Sequence, residues 1–115
     1  MSSDAGHTTQ LHDWLRELQQ GKADARNKII EHTCERLRSL ASRMLRIYPK
    51  LRRWSETDDI LQQSMMRLHR SLADVYPDNA RQFYGLAAMQ IRRELIDLSR
   101  HYFGSLGLGS KHETD

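Results

Sequence analysis

Glu56-Thr57-Asp58-Asp59-Ile60-Leu61-Gln62-Gln63-Ser64-Met65-Met66-Arg67-Leu68 is the stretch whose reading decides the fold. It opens on acids and turns apolar at Ile60, Leu61, Met65 and Leu68, with Leu72 beyond, a spacing of three and four that predicts a helix with one buried face. Acids in a first turn complement the helix dipole, so Ser55 or Thr57 starts a helix that runs to about Ala73. A polar stripe of Asp59, Gln62 and Gln63 stays on another face. Dipole stabilisation alone accounts for Asp58 and Asp59; it does not account for two glutamines in succession.

The same periodicity extends outward from this helix. Upstream, Ile29, Ile30, Thr33, Leu37, Leu40, Ala41, Met44, Leu45 and Tyr48 hold a 3.6-residue period over many turns. This predicts a long helix from about Ala25 to Tyr48, capped by Asp24 and stopped by Pro49. Lys50 to Ser55 reads as a basic loop or frayed turn containing Trp54. Downstream, Asp74-Val75-Tyr76-Pro77-Asp78-Asn79 is a loop, and Asp78 or Asn79 caps a helix to about Tyr102 with Phe83, Leu86, Ala87, Ile91, Leu95, Leu98 and Tyr102 inward. Near the start, Leu11, Trp14, Leu15 and Leu18 form the apolar face of a short helix that Thr8 or Thr9 caps and Gly21 ends, glycine suiting a left-handed terminus. Residues 1–7 are small and polar and are expected to be disordered. Residues 104–115 have linker composition and are expected to be mobile. The expectation is an all-α bundle of about four helices occupying residues 8–103.

Composition is consistent with this reading. At 115 residues the chain is one domain. Apolar residues make up 38% and charged residues 29%, enough for a core beneath a polar surface. Scarce mid-chain glycine and proline favour helices over a turn-rich sheet protein. The chain carries neither a membrane-length apolar run nor a signal-peptide pattern. The single Cys34 cannot form an internal disulfide and suits a reducing cytoplasm; a small half-buried helical residue is its ordinary reading. The formal net charge is +3. From Arg36 to Arg53 the basic residues are Arg36, Arg38, Arg43, Arg46, Lys50, Arg52 and Arg53, with no acid among them, a pattern that serves either as a solvated face or to neutralise phosphates. The histidines do not fall at metal-ligand spacing, no paired-cysteine motif or glycine-rich phosphate loop is present, and Glu31 and His32 read as solvent-facing residues of the long helix. An enzyme is not expected, nor a cofactor.

The 56–68 segment resembles the core-polymerase-binding helix of bacterial sigma factors, which usually reads Asp-x-Glu-Asp-Leu-x-Gln-Glu. Glu56, Asp58, Asp59, Ile60 and Gln62 stand at those positions in kind, and Gln63 replaces the usual Glu. A second match lies in the last helix. Small extracytoplasmic-function (ECF) sigma factors carry there an early Phe and a closing Asp-x-x-Arg, here Phe83, Asp97 and Arg100. Arg92-Arg93-Glu94-Leu95-Ile96-Asp97 is similar to the Arg-Arg-x-Leu-Val-Asp signature of one branch. The resemblance covers roughly Asp24 to Gly104 and corresponds to the sigma-2 domain. Leu86 stands where a Trp is common, and Arg93 where an Asn is common, departures that bear on base contacts and not on the fold. A complete factor of this type has a further helical domain, sigma-4, for the −35 element. This chain stops in what reads as the linker toward it, and truncation is the expectation.

The resemblance implies two tasks. The first is docking on the β′ clamp helices of core RNA polymerase by Asp59 and Gln62, one helical turn apart, flanked by Asp58, Gln63 and Met66. An acid there pairs with an arginine, and an amide both donates and accepts. The second is recognition and melting of the promoter −10 element, mainly through its non-template strand. Tyr76, Asp78 and Asn79 in the loop are placed to capture a flipped base, Arg81, Arg92, Arg93 and Arg100 to contact phosphates or bases, and Trp54 to stack at the duplex fork. Each of these residues also has a plainer role open to it. Tyr76 covers the bundle end, Asn79 caps a helix, Arg100 pairs locally with Asp97, and Arg92 and Arg93 form a solvated face. The family also implies a possible anti-sigma partner, a cytoplasmic location and a monomer when free. The alternative function is a helical protein-interaction module without DNA binding, which would need the Asp59/Gln62 face but not the aromatic and basic loops.

Overall fold

The computed structural model describes residues 2–53 and 55–104. It is all-α. Helices α1 (Ser2–Gln19), α2 (Ala25–Leu45), α3 (Thr57–Ser71) and α4 (Ala80–Ser99) form one bundle. A 3₁₀ turn, Leu51–Arg53, lies between α2 and α3, and a wide π turn, Arg100–Gly104, follows α4. α2, α3 and α4 pack on one another, and α1 lies mainly against α2.

The apolar stripes become the core. One cluster joins Leu11, Leu15 and Leu18 of α1 to Ile29 and Leu37 of α2, Leu61 and Leu68 of α3, and Phe83 and Ala87 of α4. A second joins Ala41, Leu45, Leu51, Ile60, Ile91 and Leu95. Fully burying a leucine-sized side chain stabilises the fold by about 1.5–3 kcal/mol, so these clusters determine which helix faces turn inward. Cys34 packs half-buried against the first cluster. Two buried hydroxyls are satisfied locally: the Thr33 hydroxyl donates to the Ile29 carbonyl at 2.8 Å and Ser64 to that of Ile60 at 2.7 Å.

Helix ends follow local chemistry. Gly21 has φ +80°, and its N–H donates to Leu18 O while that of Lys22 donates to Glu17 O. This paired pattern closes α1 through a left-handed glycine. Asn79 caps α4, its side-chain oxygen accepting from Gln82 N at 2.9 Å, and Gln82 in turn accepts from Asp78 N. Asp24 stands at the start of α2, yet its side chain makes no cap bond because its own backbone is already helical.

The structure departs from the sequence reading at several places. α1 begins at Ser2, not after Thr8 or Thr9, so residues 2–7 are helical where disorder was expected. The reason lies in His7 and His32. Their rings stack at 4.0 Å, His32 Nε2 lies 2.9 Å from the His7 carbonyl, His7 Nε2 lies 3.0 Å from the Tyr84 hydroxyl, and Trp14 meets His32 edge-on. His32 is therefore half-buried and not solvent-facing, whereas Glu31 is exposed. α2 ends at Leu45, three residues short of Tyr48. Leu51, in the supposed basic loop, is 1% exposed and plugs the second cluster. The linker residues 105–115 lie outside the described residues. Among the described residues no helix is long and apolar enough to cross a membrane.

Candidate functional site

The outer face of α3 is left over by the fold. A helix turns about 100° per residue, which aligns Asp59, Gln62, Gln63 and Met66 opposite Ile60, Leu61, Ser64 and Leu68. The first four are exposed and the second four buried. Met66 keeps 52% of its surface in solvent. Asp59, Gln62 and Gln63 make no side-chain hydrogen bond among the described residues. Asp58 does, since it forms an ion pair with Arg38 of α2. The acidic pair is thus divided, with Asp58 engaged toward α2 and Asp59 turned outward. Gln62, Met65, Met66, His69 and Arg70 line a shallow depression of about 370 Å³ along the same face.

The loop before α4 is braced from beneath. Pro77 is buried, so it, and not Tyr76, covers the bundle end. Tyr76 stays 48% exposed, its hydroxyl 3.3 Å from the Ala73 carbonyl. Asp78 accepts from Gln19 Nε2 of α1 at 3.2 Å, and the N–H of Ala80 donates to His12 Nε2 at 3.0 Å. Asn79 is the cap its plainer reading required, with its side-chain oxygen committed to that bond.

Arg81, Arg92, Arg93 and Arg100 are all exposed. Helical spacing sets Arg81 and Arg92 in line with Gly85 and Ala88, and Arg93 with Met89 and Gln82. The opposite edge of α4 faces α3. There Arg67 of α3 donates from Nε to Glu94 Oε1 at 3.2 Å and from Nη2 to Asp97 Oδ2 at 2.5 Å. Asp97 therefore pairs across helices, and the local Asp97–Arg100 ion pair read from the sequence is not what holds it. Beside this fork, Gln90 Nε2 donates to Ser71 Oγ at 3.1 Å. Trp54 lies outside the described residues.

Two features escaped the sequence reading. Arg67 sits four residues beyond Gln63, the end of the polar stripe, and reads as an ordinary charged helix residue until α4 is packed against it. The second is a groove of about 650 Å³ between α2 and α4, lined by Arg36, Arg43, Tyr84 and Gly85 among others. Burial pushes the Tyr84 phenol above its usual range, with nearby Arg36 opposing the shift more weakly. The one advance signal for the groove was Gly85, a glycine inside an otherwise good helix.

The architecture thus defines a small all-α module with a polar helix face and a braced loop above a basic helix. The ECF sigma factor family model matches residues 8–103, and the chain belongs to that family. No curated protein and no solved structure matches the chain.

Proposed function

We propose that this domain acts in transcription initiation as a sigma-2 module. In this reading, α3 docks on the β′ clamp helices of core RNA polymerase through Asp59, Gln62, Gln63 and Met66, with Asp58 at the margin. The loop at 74–79 and the outward side of α4 hold the non-template strand of the promoter −10 element. The observation that carries the reading is the exposed α3 face, where an acid and two amides stand unengaged beside an exposed methionine in a chain of the ECF sigma factor family. A protein partner that brings an arginine and apolar surface to such a face gains charge-assisted hydrogen bonds together with burial of Met66.

The strand-holding half rests on exposed Tyr76, which offers a stacking surface, and on four exposed arginines, which offer phosphate contacts. Asp78 limits the site, because a carboxylate repels phosphate. Its place in the loop suits a base edge with amino donors and not the backbone.

The test is binding of the chain to purified bacterial core RNA polymerase, with Asp59→Ala, Gln62→Ala as the double variant. A hydrogen bond to the charged Asp59 contributes roughly 1.5–3 kcal/mol and one to the neutral Gln62 roughly 0.5–1.5 kcal/mol, so the double variant is expected to bind at least about thirtyfold more weakly. Equal binding by both proteins places the interface elsewhere, and no binding at micromolar concentration removes the polymerase reading. Salt-dependent binding to a single-stranded −10 oligonucleotide distinguishes a DNA-handling domain from a purely protein-binding bundle.

A further inference from the structure

The corner that opens α4 holds a hydrogen bond with one chemical requirement. The first amides of a helix have no partner inside it. In α4 the N–H of Gln82 is taken by the Asn79 side chain, and the N–H of Ala80 donates to His12 Nε2 of α1 at 3.0 Å. The amide can only donate, so Nε2 must offer its lone pair. A neutral ring with its proton on Nδ1 has that lone pair. The imidazolium, a donor at both nitrogens, does not, and a proton on Nε2 would meet the Ala80 hydrogen head-on.

The other half-buried histidines, His7, His32 and His69, lack this constraint. His32 Nε2 lies 2.9 Å from the His7 carbonyl, and His69 Nε2 lies 2.9 Å from Asn27 Oδ1. Both partners are oxygens that only accept, so these rings donate, as a charged ring also does. His7 Nε2 faces the Tyr84 hydroxyl, which can donate or accept. Among the charged groups around the corner, Asp78 favours a charged His12 but is itself held by Gln19 Nε2, whereas Arg81, exposed on α4, opposes one. On α1, Asp13 and Arg16 are paired with each other. From α2, His32 meets α1 at Trp14 and His7. The positive end of α4 points at the ring and adds to the opposition.

We infer that His12 is a positioning residue whose neutral ring holds the Asn79–Ala80 corner, and that charging this ring releases the corner and weakens capture of a strand by the loop at 74–79. The second half rests on the strand-holding reading above and deepens it by adding regulation by acid. Imidazoles gain their charge between about pH 8 and pH 5, so the bond is present at the upper end of that range and lost toward the lower. Simple charge attraction has the opposite sign, because an added positive charge strengthens binding to DNA.

The experiment compares the whole chain with His12→Gln, whose side-chain oxygen accepts an N–H throughout this range. Two readouts are taken at about pH 8 and about pH 5.5. One is the Ala80 amide resonance in proton–nitrogen correlation spectra. The other is anisotropy of a labelled single-stranded oligonucleotide of mixed sequence. The Ala80 resonance is expected to titrate in wild type and to stay fixed in the variant. The two proteins are expected to bind alike at the upper pH. At the lower pH wild type is expected to bind about two- to tenfold more weakly than the variant, the worth of one neutral hydrogen bond. An Ala80 resonance that behaves the same in both proteins overturns the inference. So does wild type that binds the oligonucleotide at the lower pH as tightly as the variant or more tightly. Strand binding by neither protein, with Ala80 titrating in wild type alone, overturns the strand-holding reading and supports the acid-released corner, so the two failures are told apart.

Discussion

Replacing Arg67 with methionine keeps an unbranched apolar stem and removes both of its ion pairs. The consequence follows from burial. The Glu94 side chain is only 10% exposed, Arg67 is 31% exposed, and Asp97 is 50% exposed. Asp97 can hydrate when its partner leaves, so its share is under about 1 kcal/mol, as for surface pairs. Glu94 cannot, and breaking a buried pair from one side typically costs about 3–5 kcal/mol. Partial access of water to Arg67 reduces that figure, and a total near 2–3 kcal/mol is expected. In a domain of this size the loss lowers the melting temperature by roughly 10–15 °C, measured by circular dichroism. The sign of the mechanism is tested by Arg67→Met, Glu94→Leu, which removes the stranded carboxylate together with its partner and is expected to recover most of the stability. A single variant that melts within about 2 °C of wild type, or a double variant no better than the single, refutes the argument.

Two further predictions concern α4. Asn79→Ala removes the cap bond to Gln82 and is expected to destabilise the domain by about 1 kcal/mol, whereas Asn79→Ser retains a capping oxygen and most of that stability. A chemical-denaturation midpoint for each variant checks this and separates capping from any contact to DNA. Tyr84 is held protonated by burial, so its contribution is complete below the unfolded phenol's pKa of about 10 and is lost as pH rises through the higher folded value. The stability of wild type relative to Tyr84→Phe is therefore expected to decline above about pH 10 in denaturant titrations; a difference independent of pH contradicts it.

How much was legible in the sequence depended on how local the determining physics is. The apolar stripes of all four helices were readable because helical periodicity is a property of the chain alone. The exposed face of α3 was readable for the same reason, as polar residues at positions periodicity kept out of the core. Gly21 and Asn79 were readable because caps are short-range chemistry. Leu51 was not, since a single leucine among Lys50, Arg52 and Arg53 has no period to betray it and only the gap at the end of the bundle makes it core. The early start of α1 was also hidden, because small polar residues do not predict a helix that His32 and Tyr84 hold from other elements. The plainer reading of Asp97 paired it with the nearest arginine in sequence, Arg100, whereas the structure pairs it with Arg67. Side-chain pairing across helices requires the packed geometry, and that geometry is what the sequence states least directly.

The brace beneath the loop has a mechanical consequence. Gln19 holds the carboxylate of Asp78 and His12 receives the first amide of α4, so α1 grips both sides of the Asp78–Ala80 corner. Displacing Asp78 therefore means breaking its bond to Gln19 at the end of α1, and losing that bond lowers the work of displacing Asp78. Thermodynamic reciprocity makes these two statements one free energy. In this bundle the first helix thus ties down the corner that leads into the last, through Gln19 on one side and His12 on the other.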